Sequence, residues 1–126
     1  MEFRTSAKAV RGLGAAREGA AHWWAQRMTA LALVPLSVWF AVSVIRLAGA
    51  EHGAFAEWLA SPFNAVAMLL FTVAGFHHAA LGLQVVLEDY ISGEGRRIAA
   101  IVAVKGACWA LAAACAFATL KIAFGG

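Results

Sequence analysis

The sequence predicts an all-α integral membrane protein of three transmembrane helices, with its N-terminus cytoplasmic and its C-terminus outside. Three observations lead there. Hydrophobic residues make up 63% of the 126 and charged residues only 13%, with a mean hydropathy of +0.76, whereas a soluble domain is roughly 45 to 50% apolar. Charge clusters divide the chain into three apolar runs, Met28 to Ala48, Phe63 to Leu87 and Ile98 to Phe124. Each run reaches the ~20 residues that a helix needs to cross ~30 Å of hydrocarbon. Basic residues are distributed unevenly: Arg4, Lys8, Arg11, Arg17 and Arg27 precede the first run and Arg96 and Arg97 precede the third, against Arg46 and Lys121 on the other side. The positive-inside rule turns that asymmetry into the stated orientation. Residues 1–126 then form one membrane domain, with no length left for a soluble one.

The opening segment, residues 1 to 21, is rich in Ala, Gly and Arg and has no sustained apolar face. It predicts a flexible or loosely docked cytoplasmic arm that leads to residue 27. A basic segment, an apolar run and the small residues Ala48, Gly49 and Ala50 imitate a signal peptide. The apolar run is too long for one, against ~7 to 15 residues, and a long segment precedes it. Trp23 and Trp24 stand where interfacial aromatics anchor a helix, and Arg27 is expected at the mouth of the bilayer. Pro35 predicts a kink within the first span, because it lacks an N–H and its ring crowds the preceding turn.

Between the first two spans, Gly49 to Pro62 reads as a short acidic loop, with Ser61-Pro62 turning the chain or starting a helix. Phe55, Trp58 and Leu59 suit an interfacial turn there, and His52 reads as a solvated loop residue. In the third span, Lys105 lies seven residues past Ile98, a depth from which it snorkels to the headgroups or meets an internal anion. The small residues Gly106, Ala107, Ala110, Ala112, Ala113 and Ala114 let that helix approach its neighbours closely. Cys108 and Cys115 are ~10 Å apart along a helix, beyond the ~7 Å reach of a disulfide, and so read as packing residues. The net charge of +3 follows from the topological asymmetry. Without a basic helix or an aromatic stacking platform, it does not signal nucleic-acid binding.

The chemistry concentrates in Phe71 to Tyr90, an apolar stretch with His77 and His78 in its middle and Asp89-Tyr90 at its end. A histidine within a membrane is costly unless something binds it. Adjacent helical residues point about 100° apart, so His77 and His78 cannot face one ligand; one is a site residue and the other packs or hydrogen-bonds. His78 has Gly75 at i−3 and Gly82 at i+4, whereas His77 has Ala74 and Leu81. A flat macrocycle lying along a helix needs small residues beside its ligand, which makes His78 the better haem ligand. On spacing alone, both histidines hydrogen-bonding inside a bundle remains open.

A low-spin electron-transfer haem takes two axial protein ligands, and His22 and His52 are expected at opposite interfaces, so the second ligand must come from another subunit. Tyr90 lies ~18 Å past His78 along the helix. There its phenol either anchors the helix or donates to the carbonyl of a lipid-soluble ligand. Asp89 beside it orients that phenol, relays a proton or is simply solvated.

The pattern His78-x3-Gly82-x6-Asp89-Tyr90, with Gln84 and Val86 between, resembles the second-helix signature of the small membrane-anchor subunit of succinate dehydrogenase. That family is the hydrophobic, cytochrome b-type anchor of succinate:quinone oxidoreductase, complex II. His22-Trp23 with Gln26-Arg27-Met28-Thr29-Ala30 is similar to the opening segment of the same family. The resemblance implies a multi-pass subunit of a bacterial cytoplasmic (inner) membrane, within a complex whose flavoprotein and iron–sulfur subunits oxidise succinate. Two anchor subunits of that complex bind haem b and reduce ubiquinone.

Residue by residue, the resemblance implies that His78 is one axial ligand to the haem iron and that the companion anchor subunit supplies the other. Tyr90 would hydrogen-bond a quinone carbonyl with support from Asp89, and Arg27 would lie near the haem propionates or the quinone's way in. His77 departs from the barest form of the motif, and the resemblance assigns no role to Glu88.

Two other readings compete. A haem-free anchor of a related fumarate or succinate oxidoreductase would need no histidine between two glycines at mid-span. A small multidrug or proton-coupled exporter would need a charged substrate site in the bundle, and no carboxylate falls inside any of the three runs. The chain is also too short for a flavin domain or a cysteine cluster of its own. It is therefore expected to be a subunit of an enzyme, with no succinate chemistry of its own.

Overall fold

The structure, a computed structural model, describes residues 15–126, with side chains described from residue 19 onward. The first part of the expected arm lies outside the described residues. Four helices follow: α1 (Ala15–Leu47), α2 (His52–Ala60), α3 (Pro62–Tyr90) and α4 (Glu94–Ala123). Three are long and apolar enough to cross a membrane, over Gly19–Leu47, Pro62–Tyr90 and Glu94–Ala123. At ~1.5 Å per residue each approaches ~45 Å, so their ends reach past ~30 Å of hydrocarbon or the helices tilt.

The largest departure from the sequence-based expectation is at the start. Residues 15 to 21, expected within the loose arm, form the first turns of α1, which runs on through Arg27. Ala15, Ala16, Ala20, Ala21 and Ala25 are strong helix formers, and Arg27 interrupts the apolar run without interrupting the helix. Pro35 lies inside α1, which is one continuous helix through it.

Just past the last residue of α1 stands Gly49, whose φ of +79° suits the left-handed position that closes a helix; the Ala50 N–H donates to the Leu47 carbonyl at 2.9 Å. The expected loop holds a helix of its own, α2, which His52 begins. Leu59 on α2 is the most buried large side chain, at 2% exposure. Pro62 opens α3 at its first turn, where a missing N–H costs nothing.

α3 is the middle helix, packed against α1 on one side and α4 on the other. Its partners on α1 run in the opposite direction. Phe40 stacks on Phe71 with centroids 4.6 Å apart, and Trp39 Nε1 donates to Asn64 Oδ1 at 3.3 Å. Asn64 Nδ2 in turn donates to the Trp58 carbonyl at 2.9 Å, tying α2 into the same corner. The buried positions are mostly small: Ala67, Thr72 and Ala80 on α3, with Cys108, Ala112 and Thr119 on α4. Small residues bring helix backbones close where lipid removes the hydrophobic drive for association. Both cysteines are free thiols. Large apolar side chains such as Leu31, Val34, Ile45, Val102 and Phe117 are exposed, which suits a surface that faces lipid or partner helices.

Candidate functional site

The two adjacent histidines of α3 diverge, as a 100° step requires, and each meets a different neighbour. His77 lies toward α4, its ring 5.4 Å from that of Trp109 and tilted by 41°. Together with Thr29, Leu70, Val73, Ala74 and Trp109 it lines a recess of about 300 Å³. His78 lies toward α1, with Nδ1 3.0 Å from Thr29 Oγ1.

The direction of that last bond depends on where the single Thr29 hydroxyl proton goes. The Thr29 hydroxyl also lies 2.8 Å from the Ala25 carbonyl and 3.1 Å from the Gln26 carbonyl. Carbonyl oxygens only accept, and a hydroxyl has one proton. With that proton on the nearer Ala25 carbonyl, Oγ1 accepts from His78 Nδ1–H. In that tautomer the lone pair of the ring lies on Nε2. No hydrogen bond reaches Nε2 among the described residues, and it is not sealed from outside as His22 Nε2 is. His77 has no hydrogen bond at either nitrogen among the described residues, so nothing comparable fixes its tautomer.

Gly75 and Gly82 flank His78 on the side of α1. A Cβ at Gly82 would stand 3.5 Å from Gln26 Nε2, and one at Gly75 would stand 4.0 Å from Leu33 Cδ2. The glycines thus let α1 approach on either side of the imidazole.

His22, Gln26 and Thr29 share one face of α1, at i, i+4 and i+7. His22 Nε2 and Gln26 Oε1 are buried without partners, as is Gln84 Oε1 on α3. Sealed polar atoms in an apolar setting each cost on the order of 1 to 3 kcal/mol unless water or a ligand reaches them. His22 stands ~10 Å along α1 from Thr29, so its imidazole does not converge with that of His78.

Arg27 is exposed on α1. It lies two residues before Thr29 and therefore ~3 Å along the axis from the level of His78. Its guanidinium stands 5.2 Å from the Trp23 ring centroid, and no carboxylate pairs with it among the described residues. Trp23 and Trp24 meet edge to face at 5.1 Å, and both are exposed.

At the end of α3, Tyr90 is 85% exposed and Asp89 is exposed beside it. Neither side chain makes a hydrogen bond among the described residues. Glu88 accepts from Gln84 Nε2 at 2.8 Å along the surface of the helix. The structure thus brings His78 together with α1, and leaves Tyr90 and Asp89 about 18 Å further along α3. Lys105 is half-buried on α4. A larger apolar cavity of about 510 Å³ lies toward α2, lined by Phe40, Phe55, Phe71 and Thr72 among others, and it touches none of His78, Arg27, Asp89 or Tyr90.

The donor set suits one axial position of a haem iron. A ligating imidazole needs a free nitrogen and usually donates its other N–H to a second group, and His78 has both. Among the described residues no three His, Cys, Asp or Glu side chains gather as a metal site. Sequence reasoning gave Thr29 no role beyond its place in the opening motif. The signal available was a hydroxyl within an apolar span, sharing a face with His22 and Gln26. Trp109 and Asn64 were also missed, because single polar or aromatic residues in a span look alike until their neighbours are known.

The family described as succinate dehydrogenase/fumarate reductase transmembrane subunit matches residues 1–114. The succinate dehydrogenase hydrophobic membrane anchor subunit of Paracoccus denitrificans is 34% identical over 125 residues, covering 99% of this chain and 96% of the relative. Its counterpart in Rickettsia bellii is 35% identical over 104 residues, covering 82% and 83%. The succinate dehydrogenase membrane anchor subunit of Reclinomonas americana is 29% identical over 92 residues, covering 71% and 77%. No solved structure gives a significant match. With three spanning helices, a near full-length relative and a family match over most of its length, the chain belongs to the succinate dehydrogenase/fumarate reductase transmembrane subunit family.

Proposed function

We propose that this membrane-anchor subunit helps to bind haem b through His78 and ubiquinone through Tyr90 and Asp89, and tethers the flavoprotein and iron–sulfur subunits to a bacterial cytoplasmic membrane. The complex then passes electrons from succinate to quinone. The observation that carries this reading is the His78 imidazole, set in an apolar helix with Nδ1 held by Thr29 and Nε2 open to a ligand. Bound haem supplies a one-electron centre of tunable potential.

His78 would hold the haem iron from this chain, and the companion anchor subunit would supply the second protein ligand. Arg27, close to that level and without a carboxylate partner among the described residues, offers its guanidinium to the propionates; a paired cation there is far less costly than a lone one. Gly75 and Gly82 contribute by admitting α1 beside His78. At the far end of α3, Tyr90 donates its O–H to a quinone carbonyl, and Asp89 orients the phenol or accepts a proton. The exposure of both suits a pocket whose remaining walls are other subunits.

The test is a reduced-minus-oxidised optical spectrum of the purified four-subunit complex carrying His78→Ala or His77→Ala. Loss of the b-type bands in His78→Ala alone is expected. Loss in His77→Ala alone would move the ligand by one residue and overturn the assignment.

A further inference from the structure

We infer that Thr29 is the positioning residue for the haem ligand: its hydroxyl fixes the tautomer and ring orientation of His78 from the facing helix. The inference rests on His78 being a ligand and goes one step beyond it. The contact joins two helices across a sequence separation of 49 residues, so it reports tertiary packing rather than local helix chemistry. With its one proton on the Ala25 or Gln26 carbonyl, the Thr29 hydroxyl has only its acceptor capacity left for the imidazole. A threonine in this state cannot support the Nε2–H tautomer, whose Nδ1 would present a lone pair to an oxygen lone pair. The protein therefore holds the Nε2 lone pair ready for iron before any iron arrives.

Two consequences follow. An N–H that donates to oxygen makes imidazole a stronger base, which favours ferric over ferrous iron and lowers the haem potential. A ring pinned at Nδ1 also loses less freedom on ligation, so the haem is held more tightly. Loss of such an outer partner typically costs about 10- to 100-fold in metal affinity. The hydroxyl acts through His78 and does not itself touch the group.

The test uses the assembled complex with Thr29→Val, which keeps the branched shape and removes the hydroxyl, and Thr29→Ser, which keeps the hydroxyl. Two quantities are read: the rate of haem transfer to excess apomyoglobin, and the haem midpoint potential by optical redox titration. For Thr29→Val, transfer about 10- to 100-fold faster and a higher potential are expected, with both restored toward native in Thr29→Ser. Native values in Thr29→Val, or equal changes in both variants, would overturn the role. If Thr29→Val fails to assemble, Thr29→Ala takes its place under the same criteria. His78→Ala run alongside separates the layers. Haem retained in His78→Ala sinks the ligand assignment itself, whereas haem lost there with an unaltered Thr29→Val sinks only the positioning role.

Discussion

Gly82 offers a quantitative check on which way the histidine face of α3 points. Its added Cβ would meet Gln26 Nε2 at 3.5 Å, an ordinary van der Waals distance, so Gly82→Ala fits without moving α1. Alanine also favours a helix interior over glycine by about 1 kcal/mol. The complex should therefore be unchanged or slightly more stable, with full haem content. Gly82→Val extends a further carbon toward the Gln26 amide, and overpacking against a facing helix typically costs about 1 to 3 kcal/mol. Relief of that clash moves α1 away from α3 about one turn from the 3.0 Å contact between Thr29 and His78. Gly82→Val should accordingly lose thermal stability and release haem faster than native.

The assay is differential scanning calorimetry of the detergent-solubilised complex, with the haem-to-flavin ratio measured on the same samples. The informative variant is the smaller one. If Gly82→Ala alone lowered the haem ratio severalfold, the glycine would face the macrocycle itself rather than α1, and the reasoning from α1 packing would be wrong.

Two other outcomes are expected. Asn64→Leu removes the bonds to Trp39 and to the Trp58 carbonyl; at ~0.6 kcal/mol for an average hydrogen bond in a membrane protein, a loss of about 1 to 2 kcal/mol follows. It should appear as a lower unfolding temperature with the haem spectrum intact, and a spectral change would contradict the separation of that corner from His78. Tyr90→Phe keeps the ring and deletes the donor; one hydrogen bond of ~0.5 to 1.5 kcal/mol corresponds to a loss of ubiquinone reductase efficiency of about 2- to 13-fold. Succinate oxidation by an artificial water-soluble acceptor should not change, and a parallel fall in both rates would remove Tyr90 from the quinone site.

Three spanning helices were legible from the sequence because hydrocarbon imposes one requirement, ~20 apolar residues per crossing, and three runs meet it. The motif around His78 and Tyr90 pointed to the family, which the comparisons bear out, and the helical period alone required His77 and His78 to diverge. The boundaries of α1 were not legible, since a charge such as Arg27 ends an apolar run but need not end a helix. Nor was α2, where the nine residues His52–Ala60 are too few to hold a helix without tertiary support.

What tertiary structure alone decided is which neighbour each histidine meets. The helical period sets an angle within α3, but the register of α1 against it depends on how side chains on both helices interlock. Phe40 on Phe71, Leu33 near Gly75 and Gln26 near Gly82 together set that register. Thr29 arrives at His78 as a result, and a residue that composition and period leave anonymous becomes the group that holds its imidazole.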